Sequence, residues 1–210
     1  MSIATLKNYV NGQWIASTGP TQDMDNPATG ETIDSYEAMP AGDVQTILEQ
    51  CHAAQQQWAR TSFAERARLM KAAQRRLLEN KEDYAGLMTR EMGKLYPQGI
   101  AEAEKCAWVC DYYAENAASF LAPEVIGSDA RKSFVTFEPS GVVLAVMPWN
   151  FPFWQVFRFA APAVMAGNAG LLKHASNVML CGAAIGEVFT RAGAPAGLFT
   201  HLPIGAQQAG

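Results

Sequence analysis

Between Gly141 and Asn177 the apolar and polar positions come in blocks. Val142 to Val146 is an unbroken apolar run, of a length that suits a strand buried on both faces. It ends abruptly in Met147-Pro148-Trp149-Asn150-Phe151-Pro152. Prolines fix φ and offer no backbone donor, so the turn between Pro148 and Pro152 has few conformations and presents Asn150 rigidly at the strand's carboxyl end. Phe153 to Met165 is bulky, apolar and compatible with a helix, and Ala166-Gly167-Asn168 punctuates it. A second run, Ala169 to Leu172, leads through Lys173-His174-Ala175-Ser176-Asn177 into a helix over Met179 to Ala192. Strand, turn, helix, glycine, strand, turn, helix is the order of a βαβ unit with parallel strands, and such sheets bind ligands at their carboxyl edge. Lys173 and Ser176 are expected at the second strand end, beside a helix start whose free N–H groups and dipole favour anionic or hydroxyl-rich ligands.

Upstream, Tyr9 to Ile15 alternates around Asn11-Gly12, a strong hairpin signal. Asn26 to Glu31 reads as a turn before a short strand near Thr32 to Ala38. Long helices follow. Asp43 is a candidate N-cap, and Val44, Ile47, Leu48, Cys51, Ala54 and Trp58 recur at helical spacing. The next helix, about Ser62 to Asn80, carries Arg66, Arg68, Lys71, Arg75 and Arg76 as a stripe that reads as a solvated face. Helices over Lys81 to Met92 and Tyr96 to Ala122 hold most aromatics, and Trp108, Tyr112, Tyr113 and Phe120 are expected in the core or at a subunit interface. A turn at Gly127 to Asp129 precedes an alternating strand, Ser133 to Glu138.

Taken in order, Pro148-Trp149-Asn150-Phe151-Pro152, Pro162, Ala166-Gly167-Asn168 and Leu171-Leu172-Lys173 resemble the NAD(P)-dependent aldehyde dehydrogenase superfamily. Asn26 to Glu31, Glu91-Met92-Gly93-Lys94 and Glu138 to Val143 support the resemblance. Trp154-Gln155-Val156 and Lys173-His174-Ala175 are most similar to the bacterial succinate-semialdehyde dehydrogenase branch. The resemblance covers the first half of such an enzyme, so the chain is expected to be an amino-terminal fragment. It implies an α/β fold: a partial Rossmann-like parallel sheet with flanking helices, plus part of an antiparallel oligomerisation element. Residues 1–122 would form the hairpin and helices of the cofactor-binding domain, 123–140 part of the oligomerisation element, and 141–210 the first βαβ units, with the catalytic domain absent.

The implied activity is oxidation of an aldehyde, succinate semialdehyde in this branch, through a thiohemiacetal. Charge then develops on the former carbonyl oxygen, and an amide held between prolines suits it as a fixed donor. Asn150 takes that catalytic role by resemblance, or else caps the helix beginning near Phe153. Met147, Pro148, Trp149 and Asn150 would line the groove for NAD or NADP. Lys173 resembles the lysine that binds the adenosine ribose hydroxyls. Ser176 stands where NAD-selective members often carry Glu, which leaves room for a 2′-phosphate. The resemblance makes Arg158 the expected reader of the distal carboxylate, a group that a guanidinium fork matches; its apolar neighbours Phe157 and Phe159 suggest an inward-leaning or groove position, the alternative being a surface arginine on an amphipathic helix. A full-length relative would be a homo-oligomer. The alternative is an inactive truncated protein that binds nucleotide weakly or associates with full-length subunits.

Composition excludes several other classes. With 49% hydrophobic residues, the 210-residue chain can bury a substantial core. Its net charge of −4, without a basic cluster, argues against nucleic acid. Neither a membrane span nor a signal peptide is apparent, and a cytoplasmic protein is expected. The four cysteines, Cys51, Cys106, Cys110 and Cys181, are too sparse for a disulfide framework. Cys106 and Cys110, four apart, supply only two ligands, so no metal site is expected. None of the four stands where the resemblance places a nucleophile. His52, His174 and His201 are too scattered for a triad.

Overall fold

The computed structural model describes residues 8–10 and 13–208. Two short strands, β1 (Asn8–Val10) and β2 (Gln13–Ile15), pair antiparallel as the hairpin pattern implied; the Asn11-Gly12 turn lies outside the described residues. Next, β3 (Thr21–Asp25), which the pattern did not reveal, pairs antiparallel with β4 (Thr32–Glu37). Helix α1 (Ala41–Trp58) starts one turn earlier than expected, with Pro40 at the N-cap, so Asp43 lies inside the first turn and is not the cap. In α2 (Phe63–Glu79), Ser62 and Glu65 form a reciprocal capping box. Helices α3 (Lys81–Met92) and α4 (Tyr96–Phe120) follow, α3 ending on the left-handed Gly93.

The strand expected over Ser133 to Glu138 is shorter, β6 (Phe134–Val135), paired antiparallel with β5 (Glu124–Val125). Beyond it, β7 (Val142–Met147), α5 (Trp154–Met165), β8 (Ala169–His174), α6 (Met179–Arg191) and β9 (Phe199–His201) form the βαβ region. Both strand pairings are parallel, in the order β7-β8-β9.

Alternation along β8 sorts the two faces of the sheet. Leu171 packs with Ile47 and Cys51 of α1, and Leu172 joins the larger core built with α2 to α6. β7 is not the strand buried on both faces that its apolar run suggested: it lies at one edge, α1 packs mainly over β8, and on the α1-facing side Leu144 and Val146 remain 47% and 60% exposed. No helix among the described residues is long and apolar enough to cross a membrane.

Two expectations about side chains are corrected. Arg66 is not part of a solvated stripe: it is only 6% exposed, and its guanidinium donates to the carbonyls of Met165, Ala59 and Thr61. Of the two places expected for the α4 aromatics, the core or a subunit interface, the core does not hold Trp108 (57% exposed), Tyr112 or Phe120: they form an exposed cluster on α4, with Trp108 and Tyr112 centroids 5.6 Å apart.

Candidate functional site

The turn from Met147 to Phe153 joins β7 to α5, and its polar group, Asn150, is exposed. Asn150 caps no helix: α5 has no side-chain cap at its start, and the backbone donors there go elsewhere. Glu102, on α4, accepts from Phe153 N and Trp154 N through one oxygen, Oε1, at 2.9 Å each. Its other oxygen pairs with Lys94, and both side chains are almost wholly buried. The opposite end of α5 is also served from the amino-terminal helices. Trp58 Nε1 donates to Val164 O at 2.9 Å, Arg66 Nη1 to Met165 O at 3.1 Å and Gln55 Nε2 to Gly167 O at 3.1 Å. A carboxylate at the N-terminus and a guanidinium at the C-terminus oppose the helix dipole at each pole. Gly167, at φ +91°, lets the Arg66 guanidinium lie against the backbone, because a Cβ would sit 3.0 Å from Nη1. Asn168 then ties α5 to the start of β7: Nδ2 donates to Ala163 O and Oδ1 accepts from Gly141 N.

The second strand end is organised alike, with one departure from expectation. β8 continues through Lys173 and His174, opposite Val146 and Met147 of β7, so both strand ends lie side by side. Lys173 is 8% exposed, and its ammonium makes no hydrogen bond or ion pair to a described residue. Ser176 is exposed on the short 3-10 turn, Ser176–Val178, that precedes α6. Two of the N–H groups at the start of α6 are already taken by the protein itself. Glu91, on α3, accepts from Leu180 N at 2.6 Å and Cys181 N at 2.8 Å. Burial outweighs those bonds and pushes the Glu91 carboxyl up to about 7. An anion beside Ser176 would therefore meet the Lys173 charge, not an open helix end.

Arg158 does not lean inward. It is exposed on α5 and makes no hydrogen bond or ion pair to a described residue, while Phe157 beside it is fully buried. All four cysteines are buried, and burial is the largest cause raising each thiol. Raised, enclosed thiols are inert as nucleophiles. Among the described residues no group of His, Cys, Asp and Glu could hold a metal ion. A groove of about 270 Å³ between α3 and α6 is lined by Tyr84, Arg90, Glu187 and Arg191, among others; none of Met147 to Asn150, Arg158, Lys173 or Ser176 borders it.

Glu91, Lys94, Glu102 and His174 carry roles that sequence reasoning did not assign. The run Glu91-Met92-Gly93-Lys94 was visible only as a point of resemblance, and Glu102 gave no local signal.

Comparison with known proteins places these features. The model of the aldehyde dehydrogenase family matches residues 14–210. A probable succinate-semialdehyde dehydrogenase [NADP(+)] of Synechocystis sp. is 51% identical over 88% of this chain and 40% of that protein. Succinate-semialdehyde dehydrogenase [NADP(+)] 1 of Mycobacterium bovis is 47% identical over 84% and 39%. Among solved structures, succinic semialdehyde dehydrogenase from Streptococcus pyogenes in complex with NADP+ superposes with a TM-score of 0.86, at 32% identity, covering 89% of this chain and 41% of that one. Aldehyde dehydrogenase from Brucella melitensis biovar abortus superposes at 0.92, with 28% identity and coverage of 97% and 43%. The chain spans about 40% of the length of the curated relatives it matches.

Proposed function

Because this chain belongs to the aldehyde dehydrogenase family, we propose that it supplies the cofactor and oxyanion side of an NADP-dependent succinate-semialdehyde dehydrogenase. One observation carries the reading: two polar side chains without a hydrogen-bond partner among the described residues, Lys173, which is 8% exposed, and the exposed Asn150, stand at the carboxyl ends of adjacent parallel strands. A ligand oxygen would give the largely enclosed lysine a partner. The relatives named above as NADP-dependent succinate-semialdehyde dehydrogenases support the choice of cofactor and aldehyde.

The residues present fit a dinucleotide phosphate. Lys173 would donate to the adenosine ribose or its 2′-phosphate, and Ser176 brings no carboxylate to repel that phosphate. Met147, Pro148 and Trp149 would border the groove leading to Asn150. When bound, the cofactor supplies the hydride acceptor. Asn150 would donate its amide N–H to the oxygen on which charge develops, a contribution of about 10²–10³ in turnover for such a donor. Arg158, exposed and unpaired, has the freedom to reach a distal carboxylate with both arms of its fork. Its role is the finest part of the proposal.

The nucleophile is not among this chain's four buried thiols. The 210-residue chain by itself is therefore expected to give no NADPH from succinate semialdehyde. Calorimetric titration tests the cofactor half directly. Wild type is expected to bind NADP+ weakly and NAD+ more weakly, and Lys173→Met to lose about tenfold or more for NADP+. Equal binding by wild type and Lys173→Met refutes the assignment.

A further inference from the structure

The residues that follow Asn150 are held one after another by groups that do not belong to the turn. The Phe151 ring lies under Lys94 Nζ, 4.0 Å from its centroid. Pro152 O lies 2.9 Å from His174 Nε2. Phe153 N and Trp154 N both donate to Glu102. Ala175 N donates to His174 Nδ1 at 2.9 Å, which matches the tautomer whose Nε2 carries the hydrogen given to Pro152 O. Lys94 and Glu102 close the arrangement by pairing with each other in a buried setting. Asn150 itself makes no side-chain hydrogen bond to a described residue.

The arrangement does more than the fold alone requires. A buried ion pair contributes little net stability, because desolvation offsets the attraction. Helix α6 shows what capping alone looks like: Glu91 binds two N–H groups there, and no cation among the described residues forms an ion pair with it. At α5 the same kind of cap is joined by a cation against Phe151 and an imidazole against Pro152. The four fixed residues are the immediate successors of Asn150, whose side chain has no hydrogen-bond partner among the described residues.

We infer that Lys94, Glu102 and His174 are positioning residues for Asn150: a clamp, drawn from the α3–α4 segment and the end of β8, that fixes the Asn150 turn before any ligand arrives. The functional importance of the clamp rests on the role proposed for Asn150, but its existence can be tested separately. A pre-set donor avoids reorganisation when charge develops on its partner.

The test uses the ¹⁵N-labelled chain without nucleotide. In wild type, the backbone amides of Trp149 and Asn150 are expected to show heteronuclear NOE values as high as those of the helices. The Phe153 and Trp154 amides should exchange slowly. A mobile Asn150 backbone in wild type overturns the inference at once. Glu102→Gln, and the double substitution Lys94→Met with Glu102→Leu, which leaves no unpaired buried charge, should accelerate exchange at Phe153 and Trp154 by about tenfold or more and loosen Asn150. Glu91→Gln is the control: it alters the cap of α6 and with it the melting temperature, but should leave Asn150 ordered. If the clamp variants fold and melt lower while Asn150 stays as ordered as in wild type, the three residues are structural only and the inference fails. Should they not fold, the wild-type relaxation data and His174→Gln, which should loosen Pro152 and Asn150, decide it. NADP+ titration of the same samples reads the proposed function independently, so failure to bind sinks that reading and leaves the clamp result intact.

Discussion

Glu91 offers a prediction whose sign is opposite to the usual behaviour of a carboxylate at a helix start. Its carboxyl accepts two backbone N–H bonds, which favour the ionised form, yet burial prevails and raises it from an ordinary 4.5 to about 7. A group that binds its proton more tightly when folded stabilises the fold where it is protonated. Its contribution is therefore full below about pH 4.5, falls as pH rises, and is gone above about pH 7. At about 1.4 kcal/mol per pH unit, the interval amounts to about 3 kcal/mol. Glu91→Gln keeps an oxygen acceptor for Leu180 and Cys181 and cannot ionise. Urea unfolding followed by circular dichroism between pH 5 and 8, on wild type and Glu91→Gln, isolates the effect as a difference. The variant should gain on wild type steadily as pH rises, by about 3 kcal/mol across the full range. A flat difference would mean that Glu91 titrates alike in both states. A difference of opposite slope would mean that the two N–H bonds outweigh burial, which refutes the reasoning.

The buried histidines act the other way. Burial depresses His174 to about 4 and His201 to about 3, so their contribution is present above pH 6.5 and lost as pH falls towards those values. His201→Leu should make the acid limb of the stability curve shallower, measured by the same urea series. Gly182→Ala would place a Cβ 2.4 Å from His201 Nε2, a buried atom with no hydrogen-bond partner, and is expected to cost about 1–3 kcal/mol in urea unfolding. Arg66→Lys replaces a fork that reaches Met165 O, Ala59 O and Thr61 O with a single nitrogen. At least one buried carbonyl is then orphaned, a loss of about 2 kcal/mol in the same assay. Full stability in Arg66→Lys would show that those bonds are replaceable.

The chain's local patterns revealed its elements better than its long-range partnerships. Val142 to Val146, the proline-bounded turn and the run Ala169 to Leu172 were legible because a strand between helices needs a continuous apolar run, and two prolines leave a turn little choice. The pairing of β1 with β2 and the helices from α1 to α4 were legible for the same local reasons. β3 was not, since Thr21 to Asp25 is polar and only Met24 is buried. The stripe on α2 misled because charge alone does not distinguish a solvated arginine from one spanning three carbonyls. Arg66 shares its helix face with Met70 and Ala73, both buried, and that spacing was the available hint. Glu102 binds residues 51 and 52 positions away, and Glu91 residues 89 and 90 away, so no window of local sequence contains either interaction. Asn150 and Lys173 stood out by their places at the two strand ends, and their roles came from resemblance. The structure adds that neither side chain has a hydrogen-bond partner among the described residues, Asn150 being exposed and Lys173 8% exposed.

The charged side chains that hold both poles of α5 and the amino end of α6 precede those helices in the chain: Arg66, Glu91, Lys94 and Glu102 all come before Asn150. During synthesis the amino-terminal helices leave the ribosome first, so the sockets for the dipoles of α5 and α6 exist before those helices emerge. The turn bearing Asn150 thus has a template waiting for it, and errors in α2 to α4 are inherited by a site whose own residues are intact.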